Sequence, residues 1–279
     1  MKKLKSIWFF SVIIVIGVVM VGIGGLNDGV SYETCVVHLD KTANELVYNE
    51  VVIETSTNVQ TDNDETQEND VITEYIIENM DYINQVEDYP TGCESVASVM
   101  ALNYMGIDIS VDTFIDDYLD CGNSPYYSGN VLYAADPWEA FIGNPRSSSG
   151  YGCYSTVIEN AINKFIDTDT YKVFTYNEFT TQLSLEEICG EFISNDIPVL
   201  IWATASMKTV YNSTLWTIEG TSDKFQWLSP MHCLVLVGFD EDYYYFHDSL
   251  EDAYTKYSKS KVETAYEAMG SQALAIVKY

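Results

Sequence analysis

Cys93 is the residue best placed in this sequence to act as a nucleophile. It follows the turn-forming segment YPTG at 89–92 and begins a stretch of helical periodicity. Unpaired backbone N–H groups and the positive end of the helix dipole favour a thiolate over a thiol at such a position. The expected chemistry is attack on a carbonyl carbon with formation of an acyl intermediate. An inert buried cysteine would have the same local sequence, so the partners of Cys93 decide between the two interpretations.

The most specific partners for a cysteine nucleophile are His232 and Asp248. Such a nucleophile requires an imidazole that takes its proton and a third group that orients the imidazole. Of the other two histidines, His38 lies in an acidic segment and His247 directly precedes Asp248. His232 begins the apolar pattern HCLVLVGF, and it follows Cys93 by 139 residues. Papain-type enzymes place this histidine about 130–150 residues after the cysteine.

The register of a hairpin determines which histidine faces Asp248. If the loop has three residues, Phe239 pairs with Tyr243, and Asp248 becomes the diagonal neighbour of His232 on one face of the sheet. Diagonal neighbours lie about 7–8 Å apart, within reach of a His–Asp hydrogen bond. A loop of four residues would reverse the faces and favour His247 instead.

Gln85 lies eight residues before Cys93, on the approach to the same turn. Its side-chain amide, together with the backbone N–H of Cys93, would stabilise the oxyanion of a tetrahedral intermediate. An ordinary polar loop residue would have the same sequence context, and only the other three residues give this assignment weight. The candidate catalytic set is therefore Cys93, His232, Asp248 and Gln85.

Cys189, in the interior of a predicted helix, and Cys233, in a predicted strand, are expected to be ordinary small core residues. No CxxC spacing occurs, so a structural zinc site has little support, and no feature indicates a metal or an organic cofactor. With Cys93 as a free nucleophile, an odd number remains that cannot all form disulfides. The five cysteines other than Cys93 are Cys35, Cys121, Cys153, Cys189 and Cys233. The alternative to a cysteine enzyme is an acidic surface protein whose cysteines form disulfides.

The segment QVEDYPTGCESVASVMALNYMG, which contains Gln85 and Cys93, resembles the nucleophile segment of the bacteriocin-processing-type cysteine peptidases. It is most similar to their stand-alone branch, the cysteine peptidase family 39-like domains of exported bacterial proteins. The segments MHCLVLVGFDEDYYYFHDS and GNPRSSSGYGCYSTVIENAI are similar to the family's histidine strand and middle loop. The resemblance covers about residues 80–279 and implies a papain-like fold. It also implies that Cys93 is the nucleophile, His232 the general base and acid, Asp248 the orienting group and Gln85 the oxyanion donor.

Two features depart from the family pattern. The family's acidic turn is usually Asp-Pro, whereas Asp248 is followed here by Ser249. The chain contains no GxxxxGK[ST] motif of an attached ATP-binding segment. Cleavage of double-glycine leaders, which is known for transporter-linked members, is therefore not expected.

The pattern of elements predicts an α+β domain in which helices pack on an antiparallel sheet. Residues 120–152, rich in Gly, Pro and Ser, are expected to form a loop. The hairpin 231–248 is expected to follow the helices. The other predicted helices are 93–105, 156–165, 184–194 with a capping box at Ser184, and 262–269, and the other predicted strands are 199–203 and 273–278.

The first 26 residues are predicted to be a signal peptide or an N-terminal membrane anchor. Three lysines, at positions 2, 3 and 5, precede an apolar run over 7–23. Residues 27–80 hold 13 acids and one base, which indicates an acidic linker or pro-segment. The cysteine peptidase-like domain is then expected at 81–279. Because basic flanks stay inside, we expect this domain to be exported, either secreted or anchored at the cell surface.

The charge of the chain restricts its partners. Lys and Arg number 13 against 42 Asp and Glu, a formal net charge of −29. The electrostatic field of such a negative charge repels nucleic acid and anionic lipid. The only membrane contact expected is therefore through the N-terminal segment. The predicted function is an exported thiol hydrolase that cleaves peptide or isopeptide bonds in a peptide or protein substrate. The alternatives are a cell-wall amide hydrolase or acyltransferase and an inactive papain-like module that binds peptides; the oligomeric state is not predicted.

Overall fold

The computed structural model describes residues 72–279 and, upstream of them, the backbone of two short strands. These strands, β1 (Lys41–Thr42) and β2 (Glu45–Leu46), pair antiparallel with each other. The leader predicted at 1–26 and most of the acidic segment 27–80 lie outside the described residues. Within the part that is described, no helix is long and apolar enough to cross a membrane.

A large antiparallel sheet forms the centre of the domain 72–279. Its order is β14-β13-β12-β9-β15-β8, and β3 pairs with the end of β12. Both central strands, β9 and β12, are almost completely buried, which explains their nearly continuous apolar sequences. The strands are β3 (Tyr75–Ile76), β8 (Tyr171–Tyr176), β9 (Val199–Thr204), β12 (Met231–Phe239), β13 (Tyr243–His247), β14 (Thr255–Ser258) and β15 (Ala273–Lys278). Strand β3 precedes residue 81, where the sequence predicts that the domain begins.

Five helices accompany this sheet. Helix α1 packs on β12 and β9, α3 on β8 and β15, and α5 on β9 and β14. The expected α+β arrangement, with helices packed on an antiparallel sheet, is confirmed. The helices are α1 (Cys93–Tyr104), α2 (Val111–Thr113), which continues into a π-helical turn at Phe114–Tyr118, α3 (Ser155–Asn163), α4 (Leu185–Glu191) and α5 (Lys259–Ala268). The capping box at Ser184 is present with Glu187, and short 3-10 turns lie at Ile193–Asn195 and Ala205–Met207.

Helix α1 is the central helix, and its first ten residues are all buried. A helix that is buried on every side does not need a polar face, and α1 has small residues and apolar residues around most of its circumference. Its buried polar side chains are Glu94, Ser95 and Ser98. A charged residue among them is exceptional, because an ionised group is seldom fully buried without a partner.

The loop of the β12–β13 hairpin differs from the expectation. Phe239 pairs with Tyr244 rather than with Tyr243, so four residues separate the last paired residues of the hairpin, as in the four-residue alternative. An irregularity between Leu236 and Gly238 then restores the predicted register, and Val235 pairs with His247. One inserted residue in a strand moves every following side chain to the other face. The bulge therefore cancels the shift produced by the longer loop, and the His232 end of the hairpin has the register that a three-residue loop would give.

The expectation of a loop at 120–152 is wrong. This region forms four short strands, two of which join the hairpin β10–β11 in a separate four-stranded sheet of order β11-β10-β6-β5. Strands of two to four residues contain too few residues to show alternation, and Gly and Pro residues separate them. The strands are β4 (Cys121–Gly122), β5 (Tyr126–Ser128), β6 (Val131–Ala134), β7 (Phe141–Ile142), β10 (Tyr211–Ile218) and β11 (Lys224–Ser229).

Candidate active site

Cys93 is the first residue of α1, and the residue is only 6% exposed. Its Sγ lies 3.4 Å from the backbone nitrogen of Cys233, which donates to it, and 3.3 Å from Oε2 of Glu94. Burial, and next the charge of the Glu94 carboxylate, raise the pKa of the Cys93 thiol well above its usual range. The sequence predicts that the helix start favours the thiolate, but the pKa is raised instead, because burial dominates. A positive charge beside the sulfur, in addition to the Cys233 N–H, would oppose this rise and favour ionisation.

The turn that precedes Cys93 is held by a neighbouring loop. Thr91 donates its hydroxyl to Ser147 O at 2.9 Å and its backbone N–H to Pro145 O at 3.3 Å. At Gly92 the space for a side chain is tight, because a Cβ there would lie 3.0 Å from Cβ of Pro145 and 3.1 Å from Cβ of Tyr89. Arg146 fixes the loop further through an exposed ion-pair network, with acceptors at Asp112 and Asp116. The loop and the turn together determine where α1 begins.

His232 and Asp248 form a buried hydrogen-bonded pair, as the predicted register requires. The distance between Nε2 of His232 and Oδ1 of Asp248 is 2.7 Å, and each side chain is 1% exposed. Nδ1 of His232 is also buried and has no hydrogen-bond partner among the described residues. His232 and the Cys233 N–H that contacts the Cys93 sulfur are consecutive on β12. The imidazole thus has one nitrogen fixed by a carboxylate and the other available for proton transfer.

Asp248 remains ionised although it is buried. Burial by itself would raise its pKa, but hydrogen bonds from His232, Tyr257 and the backbone of Leu250 outweigh burial and lower the pKa below its usual range. Tyr257 donates its hydroxyl to Oδ2 at 2.8 Å, and Leu250 donates its N–H to Oδ1 at 3.1 Å. The hydroxyl of Tyr82 also holds the backbone carbonyl of Asp248, at 3.0 Å. The carboxylate is therefore a rigid, charged acceptor that fixes the His232 ring.

Gln85 is buried beside the same turn, and Ser249 holds it in two ways. The Ser249 hydroxyl donates to Oε1 of Gln85 at 2.6 Å, and the Gln85 backbone N–H donates to Ser249 O at 3.1 Å. Nε2 of Gln85 donates to Tyr89 O at 3.1 Å, in the turn before Cys93. An amide nitrogen carries two hydrogens, so one N–H of Gln85 is left for another acceptor. Ser249, which stands where the resemblance implies a proline, thus fixes which way the amide faces.

The other candidates lie elsewhere. His247 is fully buried in edge-on contact with Tyr82 and Tyr254. It therefore does not take the place of His232 beside Asp248. His38 lies outside the described residues. The five cysteines of the described part are free, namely Cys93, Cys121, Cys153, Cys189 and Cys233, and the alternative of a disulfide-bridged surface protein gains no support from them.

Sequence reasoning missed three residues of this site: Glu94, Tyr257 and Ser249. An acid at the second residue of a helix normally complements the dipole at the surface, so nothing in the sequence indicates that Glu94 is buried. Tyr257 is one tyrosine among 22. Ser249 was visible only as a departure from the Asp-Pro pattern. No group of three His, Cys, Asp or Glu side chains within 72–279 has the arrangement of a metal site.

The Cys93 thiol and the Gln85 amide lie at the start of one buried helix, and the imidazole oriented by Asp248 belongs to the residue that precedes Cys233, whose N–H contacts this thiol. Comparison with known proteins identifies relatives of this chain. The chain is 27% identical to the protein YvpB of Bacillus subtilis (strain 168) over 192 residues, which is 67% of this chain and 69% of YvpB. The crystal structure of a C39-like peptidase from Bacillus anthracis matches with a TM-score of 0.63 at 26% identity, and the match covers 74% of this chain and 98% of that one.

The model of the Peptidase_C39 like family matches residues 77–274, which is most of the domain that the structure describes. The resemblance that the sequence motifs indicated and the papain-like α+β fold that it implied are confirmed by this match and by the Bacillus anthracis structure. The stand-alone, exported character of the chain remains a prediction. The chain belongs to the Peptidase_C39 like family.

Proposed function

We propose that the protein is a thiol peptidase that hydrolyses peptide or isopeptide bonds through an acyl-enzyme on Cys93. His232 acts as general base and acid, Asp248 orients His232, and Gln85 donates to the oxyanion. The observation that carries the proposal is the buried His232–Asp248 pair. Nδ1 of His232 has no hydrogen-bond partner among the described residues. The next residue on the strand, Cys233, donates its backbone N–H to Sγ of Cys93. A buried imidazole with one nitrogen fixed and the other unpaired is costly unless it is used.

The reaction follows from these positions. The Cys93 proton moves to Nδ1 of His232, and the thiolate sulfur attacks the carbonyl carbon of the substrate. The carbonyl electrons move to oxygen, which accepts hydrogen bonds from Gln85 and the backbone at the start of α1. When the C–N bond breaks, His232 gives its proton to the leaving amine. Water, deprotonated by His232, then hydrolyses the thioester and returns the thiol.

The test is peptide cleavage by the full chain, followed by mass spectrometry. The substrates are a mixture of synthetic peptides of varied sequence and peptides cross-linked through a lysine ε-amide. We expect products that have gained one water at the scissile amide. Addition of a small primary amine separates the alternatives, because an acyltransferase would attach the amine to the new carboxyl end instead of water.

The controls are the variants Cys93→Ala, His232→Ala and Cys189→Ala, the last a buried cysteine on α4. Cleavage should be lost in the first two variants and kept in the third. Cleavage that persists in Cys93→Ala would contradict the assignment of the nucleophile. Peptide binding without any turnover, unchanged in Cys93→Ala, would identify the chain as the inactive binding module.

We also propose that the domain acts outside the cytoplasm. The support is the leader, in which three lysines precede the apolar run over 7–23. Fractionation of cells that express the full chain, followed by determination of the N-terminus of the product, tests this proposal. The domain should be accessible to an added protease in intact cells, either anchored or released. Full protection of the domain in intact cells would contradict export.

A further inference from the structure

Glu94 is a carboxyl group buried against the candidate nucleophile. Its residue exposure is 0%, and Oε2 lies 3.3 Å from Sγ of Cys93. Its other oxygen, Oε1, accepts the backbone N–H of Cys153 at 2.7 Å. None of the ion pairs formed within the described part of the chain includes Glu94. The carboxyl is thus fixed at one oxygen, and its second oxygen faces the sulfur.

The surroundings of Glu94 are shaped to admit this carboxyl. At Gly152 a Cβ would lie 2.5 Å from Oε1 of Glu94, so only glycine leaves room for it. The titratable groups that face it are thiols from three elements: Cys93 of its own helix, Cys153 of the loop before α3, and Cys233 of β12. Because these groups are neutral or negative, none of them stabilises a carboxylate by charge.

The charge state of Glu94 determines what the sulfur can do. Burial raises the pKa of Glu94 to about 7, although the hydrogen bond from Cys153 opposes this rise. An ionised carboxylate accepts a hydrogen bond from the thiol and repels a thiolate. A protonated carboxyl can instead donate to a thiolate and stabilise it. The two forms of Glu94 therefore favour opposite forms of Cys93.

We propose that Glu94 is a positioning residue that controls the ionisation of Cys93. In the active form the Glu94 carboxyl keeps its proton and donates it in a hydrogen bond to the Cys93 thiolate, while the proton of the thiol resides on His232. When Glu94 loses its proton to solvent, the proton on His232 returns to sulfur, and the thiol hydrogen bond to Glu94 holds the nucleophile inactive. This inference rests on the proposed function, because it concerns the same nucleophile.

The consequence is an enzyme whose nucleophile is most reactive on the acidic side of neutrality. An ordinary thiol becomes steadily more reactive as pH rises towards its pKa of about 8.5. Cys93 should do the opposite through neutrality, because deprotonation of Glu94 adds a negative charge 3.3 Å from the sulfur. A like charge at this distance raises a pKa by about 1–3 units, so the thiolate population should fall about tenfold or more.

The experiment is the rate of alkylation of Cys93 by iodoacetamide in the full chain, measured from about pH 5 to about pH 9 and resolved by peptide mass spectrometry. The proteins are the native chain, Glu94→Gln and, as a matched control, the exposed Glu186→Gln on α4. The glutamine side chain of the Glu94→Gln variant cannot ionise, yet its amide can still accept from Cys153 and donate to the sulfur.

We expect the native rate to fall about tenfold between about pH 6 and about pH 8, and the rate of Glu94→Gln not to fall. Glu186→Gln should follow the native profile. A native rate that rises steadily with pH would overturn the inference without any variant, even if the variant failed to fold. Parallel profiles of the native chain and Glu94→Gln would also overturn it. Failure of the proposed function is distinguishable, because it would show as alkylation that is slow at every pH up to neutrality and indifferent to His232→Ala.

Discussion

Replacing Glu94 by glutamine should change how the folding stability of the domain depends on pH. In the unfolded chain this carboxyl ionises near its ordinary pKa of 4.5, and in the folded domain burial moves the pKa to about 7. Between these values the folded state holds a proton that the unfolded state has released. The contribution of Glu94 to the stability of the native protein is therefore complete below about pH 4.5 and is lost as pH rises through about 7.

The size of the effect follows from the shift. A rise from 4.5 to about 7, at about 1.36 kcal/mol per unit, corresponds to about 3 kcal/mol in the free energy of unfolding. Glu94→Gln cannot lose a proton, so it should be more stable than the native chain above neutrality by up to this amount. Because the other acids of the chain titrate in both proteins, the difference between the two curves isolates Glu94.

The assay is urea unfolding of both proteins at a series of pH values, followed by circular dichroism. The difference in unfolding free energy between Glu94→Gln and the native chain should increase from about pH 4.5 and level off above about pH 7. Glu186→Gln, whose carboxyl is exposed, should give a nearly constant difference. A constant difference for Glu94→Gln would refute the reasoning, because it would show that the carboxyl ionises in the folded state as freely as in water.

Two further substitutions test the support of the site, and a third tests a buried histidine outside it. Ser249→Ala removes the donor to Oε1 of Gln85, so we expect kcat to fall about tenfold. The alkylation rate of Cys93 should stay unchanged, and Ser249→Thr should restore part of kcat. An unchanged kcat in Ser249→Ala would contradict the role of the Gln85 amide. Tyr257→Phe removes a hydrogen bond to the Asp248 carboxylate and should lower the free energy of unfolding by about 1.5–3 kcal/mol, measured by urea titration. An unchanged free energy of unfolding would show that this hydrogen bond is dispensable. Burial lowers the pKa of His247, so the native chain should lose stability relative to His247→Phe as pH falls below 6.5. The measurement is thermal unfolding of both proteins at a series of pH values. Equal acid sensitivity of the two proteins would argue against a buried neutral ring.

Much of the candidate site was predictable because its residues occur in distinctive local patterns. Cys93 follows a turn and opens a helix, and His232 begins an apolar strand with Asp248 after the hairpin. Strand alternation then placed His232 and Asp248 on one face. The reasoning reached the correct pair through a loop length that is wrong, because the irregularity before Gly238 compensates for the extra loop residue. A bulge leaves no mark that alternation can detect in a strand that is buried on both faces.

The features that sequence reasoning missed depend on tertiary contacts. The burial of Glu94 results from a loop some 60 residues away that supplies both the Cys153 N–H and the space at Gly152. The orientation of the Gln85 amide results from Ser249, which lies on another element. The short strands within 120–152 form because neighbouring segments pair with them, and their own sequences are too brief to specify strands.

The alkylation rate of Cys93 at about pH 6, measured in the native chain and in His232→Ala, tests the central assignment most directly. Cys189 of the same molecules, buried on α4, provides an internal reference for a thiol without an imidazole. If His232 takes the proton of Cys93, the native Cys93 reacts much faster than Cys189, and His232→Ala removes the difference. Slow alkylation of native Cys93 that does not change in His232→Ala would contradict the account, because no ion pair would then form between the two residues.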